Sequence, residues 1–279
     1  MKPKLIYFLI PFISIACSFN SNKQEESRLF YSKNRPPHLN ENNFDTSIKT
    51  IHVFVALCDN KYQGIVPVPA AIGNGQDPNS NLYWGCAAGV RTYFQKSATW
   101  VLVKKEKLKG QRLERVIFKH KKENFYLVAD AYDGQFIKQC TIDFLESAAG
   151  IRKDTIQING HILGISGNSK LLSYIGHDGL MDFNLTQSFP KSDNNKRDLI
   201  ILACISKRYF APHIKETGAH PLVWSTGLMS PEAYTLHDAL ESYISKQSDE
   251  VVRSSAAKAY ARYQKCGEKA ARNLLVTGY

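Results

Sequence analysis

The stretch Leu171-Leu-Ser-Tyr-Ile-Gly-His-Asp-Gly179 is an apolar run that ends in a histidine flanked by glycines. A second apolar run, Asp198-Leu-Ile-Ile-Leu-Ala-Cys204, ends in a cysteine. Short apolar runs bounded by polar residues and glycines are typical of buried strands. If the two strands are neighbours in a parallel sheet, their carboxyl ends lie at the same edge. The pattern therefore predicts that His177 and Cys204 emerge side by side.

Further apolar runs extend this pattern along the chain. Strands are predicted at 51–57, 99–103, 125–129 and 222–226, helices at 82–95, 135–149 and 248–265, and another helix from Ser230 with Pro231 at its first position. The basic segment 104–122 predicts a hairpin or an exposed excursion around Gly110, whereas the glycine-rich segment 151–170 favours turns. Strands separated by helical or long connections predict an α/β fold with a mainly parallel sheet flanked by helices and a helical C-terminus.

Polar residues close or follow five of the predicted strands. They are Asp59 and Asn60, Asp130 and Asp133, His177 and Asp178, Cys204 and Ser206, and Ser225 and Thr226. Ligands of parallel sheets bind beyond the carboxyl ends of the strands, so this distribution predicts a site at one edge. The candidate substrate-binding residues there are Asp59, Asn60, Asp130, Ser225 and Thr226.

The chemistry that this edge can support is nucleophilic attack by a thiol. A cysteine nucleophile needs a nearby base to form the thiolate, and backbone donors to hold the oxyanion of an acyl intermediate. His177 is the candidate base and Cys204 the candidate nucleophile. The amides of Gly179 and Cys204 are candidate donors, and Asp178 or Asp59 could orient the imidazole.

With the histidine on one strand and the cysteine on the next, the sequence resembles the caspase-like cysteine peptidases, which include gingipains, legumains and clostripain. The resemblance rests on Gly176-His-Asp-Gly179 and Leu202-Ala-Cys204 and covers residues 50–245 in architecture. It implies a caspase-like three-layer sandwich, with His177 as base, Cys204 as nucleophile and a peptide or protein as substrate. Asp178 departs from the family pattern, which has glycine directly after the histidine.

Two other classes of function stay open on the sequence alone. Asp130, Asp133, Asp178 and Asp182 with His177 could form the metal site of a hydrolase, because carboxylates and imidazole bind divalent cations. A non-catalytic surface-binding protein would keep a pocket without reactive groups, since cysteine is commonly a small core residue. Neither a metal nor another cofactor is expected for the cysteine peptidase.

The N-terminus predicts export. Residues 1–17 have a basic start and an apolar run that is too short for a comfortable membrane span, as in secretory signal peptides. Ile13-Ser-Ile-Ala-Cys17 resembles the lipobox of bacterial lipoproteins, which implies lipidation of Cys17 and a membrane-anchored protein of the bacterial cell envelope. The polar segment 18–50 is predicted to be a flexible tether, followed by a single domain over 51–279.

Net charge and cysteine count limit the expected binding partners and disulfides. The net charge is +11, and removal of residues 1–17 lowers it by two, because that segment contains Lys2 and Lys4 and no acidic residue. A positive surplus favours acidic partners or an anionic membrane surface. Basic residues and aromatics are not interleaved in a stripe, so nucleic acid is not an expected partner. Five cysteines remain after Cys17, and an odd count leaves at least one thiol unpaired within the chain.

Overall fold

The computed structural model describes residues 43–279. The strands are β1 (Lys49–Ala56), β2 (Trp100–Lys107), β3 (Arg112–His120), β4 (Phe125–Tyr132), β5 (Lys153–Ile158), β6 (His161–Ser166), β7 (Leu171–Ile175), β8 (Asp198–Leu202), β9 (His220–Ser225) and β10 (Leu275–Val276). Eight of them form one sheet in the order β10-β9-β8-β7-β1-β4-β3-β2, and β5 and β6 pair separately as a hairpin.

The centre of the large sheet is parallel. Strand β1 pairs in parallel with both β4 and β7, and the parallel pairing continues from β7 to β8 and from β8 to β9. The pairs β2–β3, β3–β4 and β9–β10 at the two sides are antiparallel. The predicted α/β class with a large, mostly parallel sheet is therefore confirmed.

Helices cover both faces of this sheet. Those in the described residues are α1 (Val90–Gln95), α2 (Ile137–Ala149), α3 (Ser206–Thr217), α4 (Ala233–Ile244), α5 (Asp249–Gln264) and α6 (Glu268–Leu274). Alternate residues of each strand face opposite layers: Val53 and Val55 belong to the core beneath α1, α4 and α5, whereas Phe54 and Tyr174 pack with α2 and α3. The predicted helical C-terminus is present as α4 to α6.

Most predicted elements lie where the sequence placed them. The strand at 171–175 has the predicted bounds, and the hairpin around Gly110 forms between β2 and β3. Gly150 ends α2 with a φ of +76°, as a glycine at a helix C-terminus commonly does. The strand predicted at 125–129 continues to Tyr132, which places Asp130 inside a strand.

Five segments differ from the prediction. Residues 82–89 form turns, because the Asn81 carbonyl accepts from three successive amides and a side chain on Gly85 would collide with the Asn79 carbonyl. Helix α4 begins at Ala233, since Glu232 is extended. Strands β5, β6 and β10 and helix α3 were not predicted, and α3 contains Pro212.

The described end of the predicted tether belongs to the domain. Lys49 and Thr50 begin β1, Ile48 is buried, and the Asp45 amide donates to the Ile162 carbonyl at 2.9 Å. The predicted signal segment 1–17 with Cys17, and most of the tether, lie outside the described residues. Among residues 43–279, no helix combines the length and apolar character needed to cross a membrane.

Candidate functional site

The register of two adjacent strands brings His177 and Cys204 to the same edge. Ile175 of β7 pairs with Leu202 of β8, and the Gly176 amide donates to the Leu202 carbonyl at 3.2 Å. His177 and Cys204 each follow two residues after that last pair. Because neighbouring strands lie about 4.8 Å apart, the backbones of the two residues leave the sheet beside each other.

Gly176 allows the chain to turn away from β7 just before the histidine. Its φ is +147°, which side chains other than hydrogen rarely permit, and a Cβ there would lie 2.6 Å from the Ala56 carbonyl oxygen of β1. The hydroxyl of Tyr174 donates to the His177 carbonyl at 2.9 Å. The backbone of His177 is therefore held on both sides.

Asp182 orients the imidazole. His177 Nε2 lies 2.7 Å from Asp182 Oδ2, and the same oxygen accepts from the Gly64 amide at 2.9 Å. Asp178 and Asp59, the two orienting carboxylates suggested by the sequence, make no such contact in the described part of the chain. The signal that could have identified Asp182 was its position in the loop that directly follows His177.

Cys204 occupies a tight turn between β8 and α3. Ile205 has a φ of +50°, an uncommon and strained conformation for a β-branched residue, and its amide donates to the Gly227 carbonyl at 2.8 Å. The Ser225 hydroxyl donates to the Ala203 carbonyl and accepts from the Ser206 amide at 3.1 Å. Ser225 thus fixes the cysteine turn instead of offering its hydroxyl to a ligand.

The thiol of Cys204 contacts backbone groups of Met229 instead of the imidazole. Its sulfur lies 3.4 Å from the Met229 amide and 3.5 Å from the Met229 carbonyl oxygen. Within residues 43–279 no hydrogen bond joins this sulfur to His177. Burial raises the pKa of the Cys204 thiol, and the negative charge of Asp178 adds to the increase. In this conformation the thiol is protonated at neutral pH.

Asp178 is a buried carboxyl beside the thiol. Its Oδ1 accepts from the Leu180 amide at 3.0 Å, whereas its Oδ2 has no hydrogen-bond partner among the described residues. Burial raises the pKa of Asp178 to about 7, and the charge of Asp182 contributes in the same direction. The side chain therefore titrates near neutral pH.

We expect Asp178→Asn to flatten the pH dependence of stability. Because the folded-state pKa lies above the unfolded value, the unfolded state loses the proton first, and stability falls as the pH rises from about 4 to about 7. Between pH 5 and pH 8 the free energy of unfolding of the wild-type protein should fall by roughly 2–3 kcal/mol from this group, whereas that of the variant should not. Urea unfolding of both proteins at the two pH values measures these free energies, and an equal decrease in both proteins would contradict the prediction.

The two proposed oxyanion donors are both unpaired. In the described residues, neither the amide of Gly179 nor that of Cys204 has a hydrogen-bond acceptor. A Cβ on Gly179 would lie 2.7 Å from the Phe183 ring, so a larger residue there would displace this ring. Both amides are therefore free to donate to an oxyanion.

Three of the predicted substrate-binding residues stabilise loops through hydrogen bonds to backbone groups. Asp59 Oδ1 accepts from the Lys61 amide at 2.8 Å, and Asn60 exchanges two hydrogen bonds with the backbone of Val68. The Thr226 hydroxyl lies 2.9 Å from the Asn273 carbonyl oxygen. Asp59 and Asn60 thereby shape the long connection after β1, and Thr226 anchors the segment before α4.

Asp130 does not lie at the edge, which corrects its predicted position. It is fully buried within β4, where Arg115 contacts its two oxygens at 2.6 and 2.7 Å. Arg112 and His52 lie 3.1 and 3.3 Å from its Oδ2. These neighbours outweigh the effect of burial and hold the pKa of Asp130 well below its usual value. The carboxylate pairs with the buried Arg115 and the partly exposed Arg112 and is not accessible to a substrate.

The carboxylates that the sequence offered for a metal are dispersed. Asp130 pairs with arginines, and Asp133 accepts from the Gln76 side chain at 2.6 Å. Over the described residues, histidine, cysteine, aspartate and glutamate side chains do not come together in any group of three that could bind a metal ion. Cys58, Cys86, Cys140, Cys204 and Cys266 are all free thiols in this part of the chain.

Two clefts differ in their relation to this edge. One of about 240 Å³ is lined by residues of 180–185 and 208–213, the segments that follow His177 and Cys204. The other, of about 590 Å³, is lined by residues around α1, α4 and α5. Neither His177 nor Cys204 lines either cleft, but the smaller cleft is lined by the segments that follow both residues in the chain.

Comparison of the chain with protein-family models, curated proteins and solved structures found no significant match. Assignment of function therefore rests on the residues and on the geometry of the site.

Proposed function

We propose that the protein is a caspase-like cysteine hydrolase that cleaves peptide bonds. The observation that carries the proposal is the matched position of His177 and Cys204, each two residues beyond the last paired residues of adjacent parallel strands. A strand ending in the histidine and a neighbouring strand ending in the cysteine are what the resemblance to caspase-like peptidases implies. The unpaired amides of Gly179 and Cys204 support the same proposal.

Catalysis in this proposal begins with transfer of the Cys204 proton to His177. Nε2 of His177 is hydrogen-bonded to Asp182, whereas Nδ1 has no hydrogen-bond partner in the described residues. Nδ1 is therefore the nitrogen that accepts the proton. The thiol must first leave Met229, which the hydrogen bonds of 3.4 and 3.5 Å to sulfur allow because such bonds are weak.

The thiolate then attacks the carbonyl carbon of the peptide. The amides of Gly179 and Cys204 stabilise the oxyanion, and His177 returns its proton to the leaving amine. Water hydrolyses the resulting thioester and regenerates the thiol. The peptide is proposed to lie along the cleft of about 240 Å³ that is lined by the segments following both motifs.

Mapping of a covalent adduct tests the assignment. A substrate-like electrophile such as a peptidyl acyloxymethyl ketone should alkylate Cys204 with loss of its carboxylate group, because this displacement needs an activated thiolate. Iodoacetamide serves as the comparison reagent and should react readily with the exposed Cys266. Mass spectrometry of digests locates both adducts. A peptidyl ketone adduct on Cys266 alone would refute the catalytic role of Cys204.

A second candidate function is supported by one observation. The thiol is engaged by Met229 and not by the imidazole, as expected if the edge only binds a peptide segment. A non-catalytic binding protein would bind peptides without forming the adduct on Cys204. The same mapping experiment distinguishes the two functions.

Location at the cell envelope is part of the proposal. The signal-like residues 1–17, with Cys17 at the end of the apolar run, support export and lipid anchoring of the mature protein. The substrates would then be peptides or proteins outside the cytoplasm. Incorporation of a radiolabelled fatty acid at Cys17 is the measurement that decides the anchoring.

A further inference from the structure

A second constellation of reactive side chains lies beside helix α1. Ser97 stands between α1 and β2, and His237 and Asp238 are on α4. Ser97 Oγ lies 2.8 Å from His237 Nε2, and His237 Nδ1 lies 2.9 Å from Asp238 Oδ1. We propose that Ser97, His237 and Asp238 form a serine-type hydrolytic site for esters of apolar acids. This site is independent of Cys204 and of the function proposed for it.

The hydrogen bonds determine which atoms of His237 and Ser97 carry hydrogen. An ionised carboxylate only accepts, so His237 Nδ1 carries the hydrogen that faces Asp238. Arg262 lies 3.0 Å from the other oxygen of Asp238 and forms an ion pair with it. Nε2 is consequently the accepting nitrogen, and the Ser97 hydroxyl donates to it. These are the roles that nucleophile, base and orienting acid have in a catalytic triad.

The surroundings of Ser97 Oγ favour its use as a nucleophile. The Thr99 amide donates to Oγ at 3.1 Å, which stabilises negative charge as the hydroxyl loses its proton. The Thr99 hydroxyl lies 3.0 Å from Oγ but donates to the Glu241 carboxylate at 2.8 Å. A local turn explains the bond from the Thr99 amide, but it does not explain why an imidazole bound to a carboxylate faces the same oxygen.

An oxyanion donor is present next to the nucleophile. Within the described chain, the amide of Ala98 has no hydrogen-bond acceptor, and Ala98 lines the same cleft as Ser97. The amide of the residue after a nucleophile commonly serves this purpose in serine hydrolases. Ala98 is therefore the candidate donor to the tetrahedral intermediate.

The cleft fits a small apolar substrate. Its volume of about 590 Å³ lies within the range of small-molecule sites. Ser97 and His237 both line it, and the remaining lining residues include Ala87, Ala88 and the rings of Tyr93 and Tyr263. The ring of His237 packs edge-on against Tyr93 at 5.5 Å, which fixes the imidazole plane. An acyl group of a few carbons or an aromatic ring fits this cleft.

The reaction balances without any further reagent. Ser97 Oγ forms a bond to the ester carbonyl carbon while its proton moves to His237 Nε2, and His237 then protonates the leaving alcohol as the ester bond breaks. A water molecule transfers one proton to His237 and attacks the acyl-serine. Collapse of that intermediate releases the acid and restores the Ser97 hydroxyl with the proton from His237.

The experiment uses the full chain carrying Cys204→Ala, so that the thiol cannot hydrolyse esters. p-Nitrophenyl butyrate is the substrate, and a fluorophosphonate is the covalent probe. Ser97→Ala and His237→Gln should lower the hydrolysis rate by about 100-fold or more, to the rate of the reaction in buffer. Ser242→Ala is the matched control and should keep the rate, because among the described residues its hydroxyl hydrogen-bonds only to Ser255 on the neighbouring helix.

Asp238 is a positioning residue in this proposal, because it acts through the imidazole. Asp238→Asn should lower kcat and shift the acid limb of the pH–rate profile to lower pH, since His237 loses the carboxylate that stabilises its protonated form. A purely structural role would reduce the folded fraction without moving that limb. An unshifted profile in the folded variant would overturn the assignment of Asp238.

Adduct mapping keeps the proposal falsifiable if a variant fails to fold. The fluorophosphonate should form its adduct on Ser97 in the Cys204→Ala protein, as digestion and mass spectrometry would show. Absence of an adduct on Ser97 would overturn the proposal, as would unchanged hydrolysis in a folded Ser97→Ala protein. Modification of Cys204 in the wild-type chain has no influence on either outcome, so failure of one site does not imply failure of the other.

Discussion

Replacement of Cys204 by alanine should abolish peptide hydrolysis. The variant removes the only atom in the proposed site that can form a thioester, and loss of a nucleophile typically lowers kcat by at least about a thousandfold. His177→Ala should have an effect of similar size, because nucleophile and base act as one unit. Cleavage of a peptide library followed by mass spectrometry measures the loss across many peptide sequences at once.

Cys86→Ala is the matched control for this experiment. Its thiol is partly buried and donates to the Ser80 carbonyl at 3.1 Å, so the same substitution removes a thiol without a histidine partner. The control should cleave the library at the wild-type rate. Activity that persists in Cys204→Ala and disappears with a chelator would instead support the metal-dependent hydrolase.

Replacement of Arg115 by methionine should destabilise the domain by about 3–5 kcal/mol. Removal of one partner from a buried ion pair leaves the other charge without compensation. Arg115 binds both oxygens of Asp130, whereas Arg112 and His52 each reach only one oxygen. Burial lowers the pKa of His52, which disfavours the charged imidazolium as a replacement for the lost guanidinium. Urea unfolding measures the free energy.

The double variant Arg115→Met with Asp130→Asn separates charge from packing. If the cost of the single variant comes from the uncompensated carboxylate, an uncharged amide of the same shape should recover a large part of the stability. A double variant that is no more stable than Arg115→Met would contradict this explanation. A single variant that costs less than about 1 kcal/mol would show that Arg112 already compensates Asp130.

The strands of the parallel centre could be predicted because they are buried on both faces. Such strands consist of nearly continuous apolar residues, as Leu171–Ile175 and Asp198–Leu202 show, and these runs differ clearly from the polar segments between them. The end of α2 was equally clear, because Gly150 adopts the left-handed conformation there. Local composition was sufficient at these positions.

Segments whose conformation depends on distant partners could not be predicted. The apolar residues of 82–89 have helical spacing, but three amides of this segment donate to the Asn81 carbonyl and form turns. The Trp84 indole donates to the Glu114 carboxylate at 2.7 Å. The sequence predicts Asp130 at the edge because the apolar run of its strand ends one residue earlier. Its true position follows from Arg115 and His52, which come from neighbouring strands and have no nearby sequence signal.

The sequence alone was enough to give the parallel centre of the sheet and the placement of His177 and Cys204 after two of its strands, because apolar runs and chain direction are local properties. Only the tertiary structure decided which groups these side chains contact. Asp182 binds the imidazole, Met229 holds the thiol, and Asp178 is buried beside it. The structure also brought together Ser97 and His237, which are separated by 140 residues. Such contacts arise from packing between elements that are distant in the chain.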